Sequence, residues 1–282
     1  MKTIVLAAGY ATRLYPLTEN FPKPLLQIGS NTILGRLLDD IDTIPEVDEH
    51  IIVTNGKFAP MFEAWAAERK NANLTGEGVL PSPSLRDPSH CVGPSLSTEG
   101  GDGSGSTPSH RKEVRVLSDE TFTNETRLGA VRDLILAIEN FGIDEDILVL
   151  AADNILDFSL KGFVEEFRRK GTSMIMCHNE PEIYKLQRTG VIEVDDNFKV
   201  LQMQEKPQVP VSHWAVPPFY IYAKQDLPLI RTALENGCGF DAPGNLAHYL
   251  TDVSVMHAWP MPAGRFDIGS LDTYEQAKQR YK

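Results

Sequence analysis

The first thirty residues restrict what this chain can fold into more than any other stretch. Thr3-Ile4-Val5-Leu6 is a short apolar run rich in β-branched residues, the composition of a buried strand. Ala7, Ala8, Gly9 and Ala11 follow at once and remove bulk, so a phosphate or a base can approach the main chain closely. Successive backbone N–H groups in such a turn form an anion-binding nest. Arg13 and Lys23 add two cations, one a planar fork and one a mobile point charge. Pro16, Pro22 and Pro24 stiffen the segment by fixing φ. The reading is a strand that runs into a rigid, cationic phosphate-binding loop.

Residues Leu6 to Thr18 resemble the signature of the sugar-1-phosphate nucleotidyltransferases, Leu-Ala-Ala-Gly-x-Gly-Thr-Arg-Leu-x-Pro-Leu-Thr, with Ala11 where Gly is usual. Pro22-Lys23-Pro24-Leu25-Leu26 matches the second block of that signature without a break. The resemblance implies that Leu6, Ala7, Ala8, Gly9, Tyr10, Ala11 and Thr12 wrap a nucleotide. It implies further that Arg13 grips the leaving pyrophosphate and that Lys23 flanks the α-phosphate. Two rival loops are excluded. No Gly-Lys-Ser/Thr follows, so this is not a Walker-type P-loop. The Gly-x-Gly-x-x-Gly of a dinucleotide fold is missing as well.

A formal charge of −12 over 282 residues argues against general affinity for nucleic acid, which needs a basic surface. An anionic substrate must therefore be met by a local cationic pocket. Cys91, Cys177 and Cys238 are odd in number, far apart and without metal spacing, which favours a reducing compartment over a disulfide framework. The N-terminus enters a strand without a signal-type apolar region, and no apolar run is long enough to span a bilayer. The expectation is a cytoplasmic protein without membrane or nucleic-acid partners; a homo-oligomer is left open.

Periodicity lays out the rest. Asn31 reads as the N-cap of a helix over Thr32–Asp42, whose Ile33, Leu34, Leu37, Leu38 and Ile41 share one face. A strand at His50–Thr54, a helix at Phe58–Lys70 and a strand at Val114–Leu117 continue the alternation of an open α/β sheet. Residues 72–112 break it. Pro81, Pro83, Pro88, Pro94 and Pro108 among many Ser and Gly leave little to bury, and this stretch reads as a disordered surface insertion. A helix ending at Asn140 before Gly142, a strand to Ala152, a helix capped by Ser159, and a strand at Ser173–His178 follow. Further on come alternating strands through Tyr222, a helix over Asp226–Asn236, another from Gly244, a strand over Val253–Trp259 and a last helix after Ser270.

The later motifs extend the resemblance to nearly the whole chain outside the insertion. Asn124 and Gly129 stand at the five-residue spacing at which the family's Gln and Gly read the nucleotide base. Asp153-Asn154 after the strand resembles the family's metal-holding Asp-Asn. A carboxylate at the C-terminal end of a strand also lies where open α/β sheets bind ligands. Thr189-Gly190 and Gln204-Glu205-Lys206-Pro207 resemble the sugar-binding half. By that match Gly190 admits the sugar, Glu205 accepts from its hydroxyls and Lys206 pairs with its phosphate. Phe266-Asp267-Ile268-Gly269 supplies the second metal carboxylate, Asp267. The implied fold class is α/β, a Rossmann-like, open, mostly parallel mixed sheet flanked by helices. A nucleotide half (1–158) and a sugar-phosphate half (159–282) share one domain.

The implied activity converts an NTP and a sugar 1-phosphate to an NDP-sugar and pyrophosphate. The attack on the α-phosphate is in-line and depends on Mg2+, with dTTP or UTP and glucose 1-phosphate as the expected substrates. Phosphocholine or another phosphorylated alcohol remains open as acceptor. A regulatory subunit that binds nucleotide sugars without turnover is a reading of another class, opposed by the joint presence of Arg13, Lys23, Asp153, Lys206 and Asp267. The insertion as an interaction module has only composition behind it.

Overall fold

The computed structural model describes residues 1–75 and 111–282, so most of the expected insertion lies outside the described residues. Its edges do not. The helix before it, α2 (Ala59–Thr75), runs past residue 72, while Lys112 is already anchored where the chain returns.

The N-terminal half, expected to bind the nucleotide, is built on β1 (Lys2–Leu6), β4 (Glu49–Thr54), β5 (Glu113–Ser118) and β6 (Ile147–Ala151), ordered β6-β1-β4-β5 and all parallel. Helices α1 (Ile33–Asp42), α2 and α3 (Ala130–Asn140) make the crossovers, and a short ribbon of β2 (Gln27–Ile28) and β3 (Asn31–Thr32) precedes α1. The apolar face predicted for α1 is buried throughout, at Ile33, Leu34, Leu37, Leu38 and Ile41. Its cap falls one residue later than predicted. Thr32 Oγ1 accepts from Gly35 N at 2.9 Å, whereas the Asn31 amide donates to Asp39 and its oxygen takes the Thr32 N–H. In β3 the backbone is still extended at Thr32, which leaves Thr32 rather than Asn31 at the helix boundary.

The second half joins the same sheet through β12 (Phe219–Tyr222), antiparallel to β6. The sheet then continues β12-β8-β11-β9-β10, from β8 (Ser173–Asn179), β9 (Gly190–Val194), β10 (Val200–Glu205) and β11 (Trp214–Val216). One more strand, β13 (Met256–Pro260), lies parallel to β8 and completes a ten-stranded mixed sheet. Helices α4 (Lys161–Lys170), α5 (Ile183–Leu186), α6 (Leu227–Thr232), α7 (Pro243–Val253) and α8 (Leu271–Arg280) complete the half. A separate ribbon pairs β7 (Asn154–Leu156) with β14 (Arg265–Asp267), and it decides where the candidate site forms. Among the described residues no helix is long and apolar enough to cross a membrane.

Three local expectations change. The Ser159 hydroxyl accepts from Lys161 N at 3.1 Å, but the residue at the helix boundary is Leu160, fully buried and without a side-chain cap. The helix expected to reach Asn236 stops at Thr232 and gives way to turns whose N–H groups bond back to Thr232 and Ala233. The strand expected from Val253 begins at Met256, because α7 runs through Val253 and Ser254 N still bonds to Leu250 O. Both Val253 and Val255 are exposed, so the apolar run there lacked a partner to hold it in the sheet.

One buried polar network ties the N-terminal half together. Asp42 accepts from His50 Nε2 at 2.9 Å, from Arg69 Nη2 at 2.7 Å and from the Lys112 N–H at 3.0 Å. It thereby links α1, β4, α2 and the point at which the chain re-enters after residue 110. The Lys112 ammonium donates to the carbonyls of Ile41 and Ile44 at the end of α1.

Candidate active site

The loop after β1 is held from both sides. Ala7 N bonds to Val53 O at 2.8 Å, and Asn55 Nδ2 donates to Ala8 O at 3.0 Å. Gly9 is exposed, and a Cβ built there meets nothing within 4 Å, so its surface is open to a ligand. Ala11 adopts φ 47°, ψ 42°, the left-handed conformation, which costs an L-residue about 1–2 kcal/mol. Its carbonyl is fixed by the Thr18 hydroxyl at 2.8 Å and by Leu14 N at 2.9 Å. The turn thus demands the geometry for which Gly is the easy choice and imposes it on Ala. Thr12 and Arg13 follow in a 3-10 turn with the Arg13 side chain exposed.

Lys23 comes from a second 3-10 turn, opened by Pro22 and held by Pro24. Although it is largely buried, its Nζ lies 3.0 Å from Asp153 Oδ2. Asp153 follows β6 and leads into β7. Its other oxygen accepts from Asn154 Nδ2 at 2.7 Å, and Arg265 Nη1 in turn holds Asn154 Oδ1 at 2.5 Å. In the small ribbon Asp267 pairs with Asn154, and Ile268 N bonds to Asp153 O at 3.1 Å. The two carboxylates named from sequence are therefore neighbours. Asp267 opens into a cleft yet is flanked by protein on most sides. That partial loss of water and the Asp153 charge push its pKa up, against the pull of Lys23, Arg265 and Arg13. Two oxygen donors with mutual repulsion are a fit set for a hard divalent cation that keeps waters or phosphate oxygens as its other ligands. Among the described residues no third His, Cys, Asp or Glu joins them, so the remaining positions would fall to substrate and water.

One cavity is lined by the loop after β1 and another by the two carboxylates themselves. The first, of about 200 Å³, is lined by Leu6, Ala8, Gly9, Arg127, Gly129 and Asp133 with parts of Ala151 and Asp241. Gly129 has φ 95° and packs so closely that a Cβ would meet Phe240 O at 2.6 Å. Asn124 is outside that lining, and its carbonyl and amide oxygens accept from Arg127 Nη1 instead. Gly129→Ala is expected to cost about 1–3 kcal/mol, since both the φ and a backbone contact forbid a methyl group. It should also narrow this cavity. Thermal melting with a nucleotide-binding measurement checks both effects, and an unshifted melting temperature would contradict the contact.

The second cavity, about 400 Å³, is lined by Asp153, Asn154 and Asp267 together with His178, Glu180, Lys185, Arg188, Thr189 and Arg265. Burial first, and the Arg265 charge second, lower the His178 pKa to about 4, so its imidazole is neutral. Gly190 on β9 pairs with Glu205 at the end of β10, and Lys206 follows it, but all three are absent from this lining. Glu205 is packed against Gly244 in the first turn of α7, where a Cβ would stand 2.0 Å from its Oε2. Burial raises its pKa against the opposing pull of Lys206 and His248. Lys206, at φ 50°, lies with Nζ 3.6 Å from Glu205 and is half exposed. Sequence reasoning missed His178, Glu180, Lys185 and Arg188. Their one signal was position, at the end of β8 and just before Thr189-Gly190. A larger hollow of about 570 Å³ beside Arg69 and Val114 gathers none of the motif residues.

A small-residue loop, a buried Lys and paired carboxylates that line a cavity agree with the resemblance read from residues 6–26. Residues 2–282 match the family described as Nucleotidyl transferase. The chain belongs to that family. This nucleotidyl transferase is 22% identical to the UTP–glucose-1-phosphate uridylyltransferase AglF of Haloferax volcanii, over 99% of this chain and 96% of the relative. It is 26% identical to the glucose-1-phosphate thymidylyltransferase of Neisseria meningitidis, over 83% of this chain and 68% of that one. Its fold is similar to that of a UDP-glucose pyrophosphorylase crystallised with UDP-glucose, at a TM-score of 0.73 and 17% identity over 99% of this chain and 97% of the other. The chain is thus an enzyme of the nucleotidyl transferase family, and these relatives are named for nucleotidyl transfer with glucose 1-phosphate.

Proposed function

We propose that this nucleotidyl transferase joins UTP or dTTP to glucose 1-phosphate and releases pyrophosphate. The observation that carries the reading is the juxtaposition of Lys23, Asp153 and Asp267, with both carboxylates lining a wide polar cavity and a smaller cavity lined by the loop after β1. The small cavity takes the base and the wider one takes the sugar phosphate. Relatives named for uridylyl and thymidylyl transfer support a pyrimidine nucleotide, although relatives named for adenylyl transfer also match.

Both substrates are anions, so the chain's task is to hold them in line and to offset their repulsion. The loop N–H groups over Ala8–Ala11 and the exposed Arg13 fork bind the triphosphate tail, where pyrophosphate leaves. Lys23, presented by its proline-flanked turn, faces the α-phosphoryl group. Arg188 and Lys206 draw in the acceptor phosphate, which is already ionised and needs no general base. Asp153 and Asp267 would hold Mg2+, which when bound neutralises phosphate charge and stabilises the charge that develops at the α-phosphorus. Positioning and charge stabilisation of this kind supply most of the rate in phosphoryl chemistry.

A pyrophosphate-release assay across UTP, dTTP, CTP, ATP and GTP, each with glucose 1-phosphate, other sugar 1-phosphates and phosphocholine, tests the reading. Turnover is expected to be fastest with UTP or dTTP and glucose 1-phosphate. Faster turnover with ATP or GTP, or with phosphocholine, would overturn it.

A further inference from the structure

The small cavity contains a carboxyl group that no motif explains. Asp133 lies in the first turn of α3, lines the cavity beside Gly129 and is 4% exposed. Its Oδ1 is sealed from solvent without a hydrogen-bond partner. Capping does not account for it. The first N–H groups of α3 are taken by main-chain carbonyls, Ala130 N by Asp241 O at 3.1 Å and Val131 N by Phe240 O at 3.0 Å. An ion pair does not account for it either. Arg127 on the cavity wall is bound to Asp241 at 3.0 Å, and the other charged group that acts on Asp133 is Asp119, from the loop after β5, of like sign. An unsatisfied buried oxygen costs free energy that an arriving ligand can recover by supplying the missing partner.

We infer that Asp133 reads the nucleobase, its protonated carboxyl donating to a ring carbonyl of uracil or thymine and accepting from the adjacent N3–H. The inference rests on the smaller cavity being the base site of the proposed reaction. Its volume of about 200 Å³ is large enough to admit a base. A neutral carboxyl offers one donor and one acceptor, matching the imide edge of these bases. An ionised one offers only acceptors, which repel the carbonyls and suit the paired N–H donors of guanine instead. Burial first, and the Asp119 charge second, raise the Asp133 pKa to about 7. The group is therefore neutral and competent below that pH, and ionised and unfavourable to uracil above it. The charged groups around it are Asp119, whose charge acts on it, and Arg127 and Asp241, which line the same cavity.

Binding of UTP to the wild type, Asp133→Asn and Asp133→Ala, measured by calorimetry from pH 6 to 8.5 without acceptor, tests this apart from turnover. The wild-type Kd is expected to rise about tenfold between pH 6 and 8, as the competent fraction falls. Asp133→Asn, which keeps one donor and one acceptor at every pH, should bind as the wild type does at pH 6 and lose most of that slope. Asp133→Ala should weaken binding about tenfold at pH 6 and raise KM for UTP while kcat stays within about threefold. An Asn variant that retains the wild-type slope, or an Ala variant that binds UTP undiminished, would overturn the inference. Should the Ala variant fail to fold, the near-isosteric Asn variant alone decides through its slope. Turnover that survives with an unaltered slope leaves the proposed reaction standing and removes Asp133 from it. UTP binding that follows Asp133 in a protein without turnover would do the reverse.

Discussion

Asp153→Asn is expected to lower kcat/KM at least about a hundredfold, or roughly 2.7 kcal/mol of transition-state stabilisation, while the protein remains folded. Asp153 combines two tasks that Asn cannot share. It supplies the negative charge 3.0 Å from the Lys23 ammonium, and it stands beside Asp267 as one of the two carboxylates proposed to hold a divalent cation. The amide oxygen of Asn can still accept from Asn154 Nδ2, now at 2.7 Å, so the ribbon of β7 and β14 need not move. Steady-state kinetics across a magnesium titration, beside a melting curve, separate these effects. Activity within tenfold of wild type at the same magnesium dependence would remove Asp153 from the reaction.

Asp42→Ala should lower the stability of the whole N-terminal half by about 3–5 kcal/mol, the range for removing one partner of a buried ion pair. For a chain of this size that is a fall in melting temperature on the order of 10 °C. The loss goes beyond one contact, because Arg69 and His50 both lose their buried acceptor and the Lys112 N–H loses the bond that receives the returning chain. The same network makes stability fall in acid. Burial pulls the Asp42 pKa upward, but the His50 hydrogen bond and the Arg69 charge outweigh it and hold the group below its ordinary 3.8. Its contribution is thus present above 3.8 and disappears as pH falls through the depressed value. Burial also lowers the His50 pKa from 6.5, against the pull of Asp42, so the fold disfavours its protonation. That favours the unfolded chain as pH falls below about 6.5. Denaturant melts at pH 7.5 and 5 should show the decline in the wild type. A loss under about 1 kcal/mol in the variant would show that the network is not structural.

Local chemistry was enough to read most of the scaffold. The β-branched run at Thr3–Leu6 and the apolar face of Ile33–Ile41 carry their periodicity openly, because each needs only the generic partner of a packed layer. The loop from Leu6 to Arg13 and the Pro22–Leu26 turn were equally legible, since small residues, prolines and two cations constrain the backbone wherever they occur. The cap moved from Asn31 to Thr32 because β3 decided where extended backbone ends. The strand expected at Val253 began at Met256 because α7 claimed the residues before it. At the site, Asp153 and Asp267 are far apart in the chain and meet only through the pairing of β7 with β14. The same holds for the Lys23 contact with Asp153, and for His178, Arg188 and Arg265 on one cavity wall. A sequence records which side chains are available and how each local segment prefers to bend. Which way Glu205 turns, and whether Asp133 finds a partner, depends on neighbours that only long-range packing supplies, and so the tertiary structure alone decided them.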